Sequence, residues 1–369
     1  MSAVIATVAG ISENSVPSYI ARGITIVACG FAYYTALTRR ATNRLDPWMT
    51  ALYLMYTFRL VWDLLVEGTP GADVALVMFV FTCALPAAAI AGSSALWDDE
   101  AIARGLLVSG LFICGGSFLL RDSFYVANQS VLESTGRLQL GKLNPITIGH
   151  AGATTMIASL LLWTTSRSRF WQLGSVPAAA AGAYLTILAA SRGPILAAGV
   201  CILSFLIARR MWKYLAILGG ALFLAVSVYA AIDFTAFLEQ TRLSGAGTDE
   251  SSDDRLRLYA MAVSEIQEHW MFGSSFTLPM GEGWPHNVTI ESWLAMGVFG
   301  FALWMLLCGR GLIAALTTLD SPGTMAALIF LQYLVAAQFS GALWGGWPGL
   351  WLGMAFLLAV GYKGQQRRL

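Results

Sequence analysis

The stretch GEGWPHNVTIE, residues 281 to 291, sets a tryptophan, a proline, one of three histidines and a glutamate immediately before a long apolar run. An imidazole, with an ordinary pKa of about 6.5, suits proton transfer near neutral pH. His286 therefore reads either as a general base or as one more interfacial residue beside Trp284 and Pro285. Glu291 follows five residues later. On a helix that begins early it lies within about a turn and a half of the histidine, placed to orient the ring or meet a sugar.

Arginines form the second reactive set. Arg192 sits in the short turn Ser191-Arg192-Gly193, Arg255 and Arg257 flank Leu256, and Arg137 and Lys142 occupy a polar stretch. Guanidinium forks match phosphate and diphosphate. The same cations have acids nearby, Asp122, Glu133, Asp249, Glu250, Asp253 and Asp254, and exposed pairs of that kind contribute little. Charge alone leaves both readings open. Arg59 and Asp63, spaced i, i+4 within an apolar run, are either a self-neutralising pair or a cation aimed at a ligand cavity. His150 and Asn144 near another span end read as a core histidine and its neighbour, or as lining of that cavity. The five cysteines all fall in apolar blocks without metal-ligand spacing, which predicts small buried hydrophobes, no disulfide and no zinc.

The elements that must position these groups are set by composition. Of the residues, 57% are hydrophobic and only 12% charged, and the apolar ones come in blocks of about 20, the length that crosses about 30 Å of hydrocarbon. The chain is predicted to be an all-α polytopic membrane protein, one transmembrane domain over 1–369. Its eleven spans are placed near 18–37, 47–66, 73–92, 102–120, 145–164, 172–190, 193–208, 214–232, 289–309, 323–341 and 344–362. The first block lacks a signal-peptide cleavage pattern and reads as a mature span. Thirteen Lys and Arg residues fall on one set of span ends and eight on the other. The positive-inside rule then puts the amino terminus outside and the carboxyl terminus in the cytoplasm, as an odd number of spans requires.

Seven of the eight outer cations, all but Arg22, cluster in the 121–144 loop, the Arg192 turn and a long loop over 233–288. In that loop DDRLRLYAMAVSEIQEHWMFG has helical spacing at Leu256, Tyr259, Ala260, Val263 and Ile266 or Gln267. It predicts an amphipathic helix on the outer membrane surface, with Asp253 and Asp254 as cap and first-turn acids and Gly273 as terminator. The Gly-, Ser- and acid-rich RLSGAGTDESSDD before it reads as a loop. No internal repeat is visible, so the architecture of many secondary transporters gains no support.

Four segments in order resemble the O-antigen ligase and O-antigen polymerase family of bacterial envelope glycan assembly. They are GRLQLGKLNPITIGHAG (136–152), LAASRGPILAAGVCILSFL around Arg192, SSDDRLRLYAMAVSEIQEHWMFGSSF (251–276) and HNVTIESWLAMGVFGFALW (286–304). The shared pattern is an Asn-Pro-led helix, a Ser-Arg-Gly turn opening an apolar helix, an Arg-Leu at the head of an outer helix, then His-Asn, a Glu and a Gly-x-x-Gly span. The sequence departs from it at His269 and Met271, where small or apolar residues and a proline are usual. His269 reads as structural.

The resemblance implies a GT-C-like glycosyltransferase of the inner membrane, facing the periplasm, metal-independent, without cofactor and inverting at the anomeric carbon. Its donor would be an undecaprenyl diphosphate-linked glycan. Its acceptor would be the end of another glycan in a polymerase or the lipid A core in a ligase, with a chain-length regulator as a further partner and no nucleic acid. By position, His286 would be the base, while Arg192 and Arg255 would stabilise the departing diphosphate. Arg257 is the alternative to Arg255. Glu291, Asn287 and Arg59 are expected to contact substrate, and Arg137 to steer the anionic donor inward. A lipid-linked sugar transporter or flippase would use tryptophans such as Trp270, Trp284, Trp293, Trp344 and Trp347 as sugar platforms. It would also need cations on both faces, which the one-sided excess disfavours. The lack of a second basic cluster for a phosphorylated core favours polymerase over ligase.

Overall fold

The computed structural model describes residues 16–39, 43–119, 145–189, 191–220, 250–279, 283–345 and 347–366. All regular structure among them is helical. In chain order the helices are α1 (Val16–Thr38), α2 (Pro47–Leu65), α3 (Ala72–Leu96), α4 (Asp99–Leu119), α5 (Pro145–Thr165), α6 (Arg169–Leu188), α7 (Arg192–Ala208), α8 (Glu250–Glu268), α9 (Val288–Thr318), α10 (Thr324–Ala336) and α11 (Pro348–Gln366). Ten of the eleven predicted spans coincide with one of these. The span at 214–232 is helical as far as residue 220, and its remainder lies outside the described residues, as does the 121–144 loop. Among the described residues α3, Ile146–Thr165 of α5 and α9 are long and apolar enough to cross a membrane, and α7, α10 and Pro348–Gly361 are shorter apolar helices. Large apolar side chains such as Phe58, Phe112, Phe170 and Ile313 face outward, which suits a hydrocarbon surround.

The chain forms two compact units. One contains α4 to α7 together with Leu319–Leu328. Its helices meet through small residues, as membrane helices do. At Gly152 and Gly182 the α5 and α6 backbones approach so closely that a Cβ on Gly152 would stand 2.5 Å from the Gly182 carbonyl oxygen. Gly110 leaves room for Thr155, and Gly149 for Pro194. The Asp99 carboxylate caps the start of α10, accepting the N–H groups of Gly323 (2.7 Å), Thr324 (3.1 Å) and Met325 (2.9 Å). Arg209 holds the same turn through the Leu319 carbonyl and the Thr324 hydroxyl, both at 3.2 Å.

The second unit comprises Arg22–Trp97, Glu250–Thr318 and Ile329–Leu369. Its core is an edge-to-face cluster of Tyr53, Tyr56, Phe79, Trp304 and Trp351, with centroids 4.8 to 6.2 Å apart. In α3 the turn at Phe79–Ala84 widens to a π-helix just before Pro86. Proline has no N–H to offer and its ring would strike the carbonyl four residues back. Asp46 caps α2 through the N–H of Trp48 at 3.0 Å and takes both arms of Arg310, at 3.1 and 2.7 Å.

One expectation is corrected here. The helix α8 spans Glu250–Glu268, so Asp253 and Asp254 lie inside it instead of capping it. The side of α8 that packs on the protein is distinct from the stripe expected to lie on the membrane. Leu258 and Ala262, flanked by Met261 and Ile266, pack on Leu278 and Leu294, whereas Leu256 and Val263 are 65% and 48% exposed. Apolar residues occupy both sides of α8, so helical spacing alone cannot choose between them.

Candidate active site around His286

The start of α9 decides where His286 stands. Asn287 caps the helix: its Oδ1 accepts the N–H groups of Thr289 (2.9 Å) and Ile290 (3.0 Å), and its Nδ2 donates to the Gln338 carbonyl at 3.0 Å. The Val288 N–H reaches the Ala337 carbonyl at 2.9 Å. The Thr289 hydroxyl donates to Gln338 Oε1 at 3.0 Å and accepts from Trp304 Nε1 at 3.1 Å. The chain enters this clamp through His286 at φ +54°. That left-handed conformation costs a non-glycine residue about 1–3 kcal/mol and persists only where the surroundings impose it.

The half-buried imidazole meets Trp284 at 5.5 Å between ring centroids, and Trp284 in turn meets Trp344 edge-on at 5.3 Å. Burial first, and the guanidinium of Arg255 second, hold the His286 pKa below the usual histidine value. At neutral pH the ring is therefore unprotonated and able to accept a proton.

The segment between α8 and α9 is held by an interruption in α9. Gly297 has φ +65° and ψ −164°, so the helix breaks there. Residues 270–274 lie across the break: Val298 N–H donates to the Trp270 carbonyl at 2.9 Å and Ser274 N–H to the Leu294 carbonyl at 2.8 Å. Trp293 Nε1 adds a bond to the Trp270 carbonyl at 3.2 Å. Gly273, at φ +77°, crosses so near that a Cβ would stand 2.6 Å from the Ala295 carbonyl carbon. Further along, Asp63 on α2 ion-pairs with Arg59, and its Oδ2 accepts the Phe276 N–H at 3.0 Å.

Behind these elements lies a cavity of about 880 Å³. It is lined by Arg59 of α2, Glu67 just beyond that helix, Val74 of α3, Glu265 of α8, His269 directly after it, the 273–279 segment, Trp284 and Trp344. His269 Nδ1 lies 3.2 Å from Glu265 Oε1. The indole N–H groups of Trp284 and Trp344 and the Ser274 hydroxyl are buried in this wall with no hydrogen-bond partner in the protein. Each leaves about 1–3 kcal/mol of bonding potential unmet. Among the described residues no three His, Cys, Asp or Glu side chains converge closely enough to hold a metal ion.

The predicted residues are thus only partly brought together. His286 and Arg255 interact, and Arg59 pairs with Asp63 while bordering the cavity. Arg257 is exposed on α8, with Nη1 4.0 Å from Met261 Sδ. Arg192 is the exposed first residue of α7, in the other unit, and Arg137 lies outside the described residues. Glu291 is corrected: it is 0% exposed and accepts from Tyr56 Oη and from the Leu343 N–H, both at 2.9 Å. A carboxylate so enclosed braces α9 and does not meet a sugar. Asn287 is corrected likewise, because both ends of its amide serve the cap and the Gln338 tether.

Residues 177–305 match the O-antigen ligase family. That segment, and not the rest of the chain, is what is similar to the family. No curated protein matches the chain. The segment matching the O-antigen ligase family takes in Arg192, Arg255, Arg257, His286, Asn287 and Glu291, and leaves out Arg59 and Arg137. Sequence reasoning missed Glu67, Glu265, Ser274 and the junction of Trp284 with Trp344. These come from separated parts of the chain and share no motif. The capping role of Asn287 did have a signal, since asparagine directly before an apolar helical run is a favoured N-cap.

Proposed function

We propose that this chain is a periplasmic-face glycosyltransferase that moves a glycan from undecaprenyl diphosphate to a sugar hydroxyl, as a polysaccharide polymerase, with O-antigen ligase as the second reading. The observation that carries the proposal is His286. Within the segment that matches the O-antigen ligase family, it is a strained, half-buried imidazole kept neutral by burial and by Arg255, beside a cavity large enough for sugars. The eleven-span GT-C-like arrangement in the inner membrane, the amino terminus outside and the 233–288 insertion in the periplasm belong to the same proposal.

In the reaction the acceptor hydroxyl oxygen forms a bond to the anomeric carbon as the bond from that carbon to the diphosphate oxygen breaks. The hydroxyl proton passes to His286. The electron pair leaves with undecaprenyl diphosphate, whose growing charge is assigned to Arg255. Attack opposite the leaving group inverts the carbon, and the step is written without a metal ion. Arg192 and Arg137 are assigned to the same donor on their sequence positions alone, with Arg257 the alternative to Arg255. The test is reconstitution in liposomes with lipid-linked repeat units, with and without lipid A core, for the wild type and His286→Ala. A ladder of longer lipid-linked glycans, lost in the variant, is the expected result. Product formed only on lipid A core makes the protein a ligase, and no turnover by folded wild type with either acceptor overturns the transferase reading.

A further inference from the structure

The described lining of the cavity beside His286 has the wrong charge for a diphosphate. Among the described residues Arg59 is the one arginine or lysine in that lining, and its guanidinium is engaged by the fully buried Asp63. Two carboxylates, Glu67 and Glu265, share the wall. An anion entering here would meet those carboxylates while the neighbouring cation is already neutralised. An uncharged sugar meets the opposite conditions. Carboxylates accept hydrogen bonds from hydroxyls, and indole rings such as those of Trp284 and Trp344 in this lining cover the apolar face of a pyranose. Trp284 lines the cavity and touches His286, so a sugar held there lies one ring from the proton acceptor.

We infer that this cavity is the acceptor subsite, and that it selects a glycan end carrying no phosphate or other acid group. The inference rests on the transferase reading above and sharpens it, because a phosphorylated core sugar would be refused and an unphosphorylated growing glycan accepted. The departing diphosphate is then handled elsewhere, on the Arg255 side of the imidazole.

The experiment is saturation-transfer NMR on the full chain in lipid nanodiscs. The probes are the methyl glycosides of glucose, galactose, mannose and N-acetylglucosamine and the 6-phosphates of the same four. At least one neutral glycoside should bind, with every 6-phosphate at least tenfold weaker. Trp344→Ala should lower the neutral signal at least tenfold. Glu67→Lys, a change at an exposed position that folding tolerates, should narrow the gap between neutral and phosphorylated probes. Equal or tighter binding of the phosphates, absence of any neutral binding, or neutral binding unchanged in both variants would overturn the inference. Transfer from the lipid-linked donor, measured in parallel with His286→Ala, separates the two failures. Sugar binding without transfer sinks the transferase reading, whereas transfer without this binding pattern sinks only the acceptor assignment.

Discussion

Gly297 and Met271 approach so closely that a methyl group on the glycine would fall on the Met271 carbonyl group. The contact exists because α9 breaks at φ +65° and the segment following α8 supplies the Trp270 carbonyl to Val298 across the gap. Gly297→Ala therefore faces a left-handed backbone and a backbone collision at once. We expect a loss of about 2–5 kcal/mol, summing a conformational cost of 1–2 with an overpacking cost of 1–3. Thermal unfolding in detergent measures it, and an unchanged midpoint would show that the break is not needed.

The acid limb of the pH–rate profile should report His286. Its folded pKa is lowered, so the neutral, proton-accepting form prevails at pH 7, and transfer declines only as pH falls through that depressed value. Replacing Arg255 by methionine removes the smaller of the two depressing influences, leaving burial, so the limb should move to higher pH while staying on the acid side of neutrality. Single-turnover rates at saturating donor separate this shift from weaker donor binding. A limb that stays put or moves the other way would contradict the electrostatic link between these two residues.

Asn287 distinguishes a cap from a substrate contact. Asn287→Asp keeps an oxygen for the Thr289 and Ile290 N–H groups and should retain most stability, while Asn287→Ala should lose about 1 kcal/mol. The alanine variant should also lower kcat more than it raises the acceptor KM, since the clamp that sets the His286 backbone is loosened. An effect confined to KM, equal in both variants, would return Asn287 to the substrate.

The helices were legible because a membrane forces apolar runs of fixed length, and Pro47–Leu65, Pro145–Thr165 and Val288–Thr318 fall where such runs lie. His286 and Arg255 were legible through motif order. Gly297 was not: a Gly-x-x-Gly pair in an apolar run reads as ordinary close helix contact, and nothing local says that another segment enters between its turns. The role of Glu291 was hidden for a similar reason. Its partners Tyr56 and Leu343 come from distant elements, and a lone acid beside a histidine looks like chemistry until both are seen. The protein-packed side of α8 was not legible, because helical spacing does not distinguish Leu256 from Leu258 and only the positions of Leu278 and Leu294 decide which one packs inward.

The described residues 270–279 and 283–287 owe their conformation to anchors that lie mostly outside them: Asp63 on α2, the gap in α9, and Gln338. Such a stretch is a poor cassette. Transplanted alone into a relative, it would arrive without the groups that shape it, so new sugar preferences in this lineage should evolve by exchanging individual wall side chains such as Glu67 and Glu265, with the length of the crossing held constant.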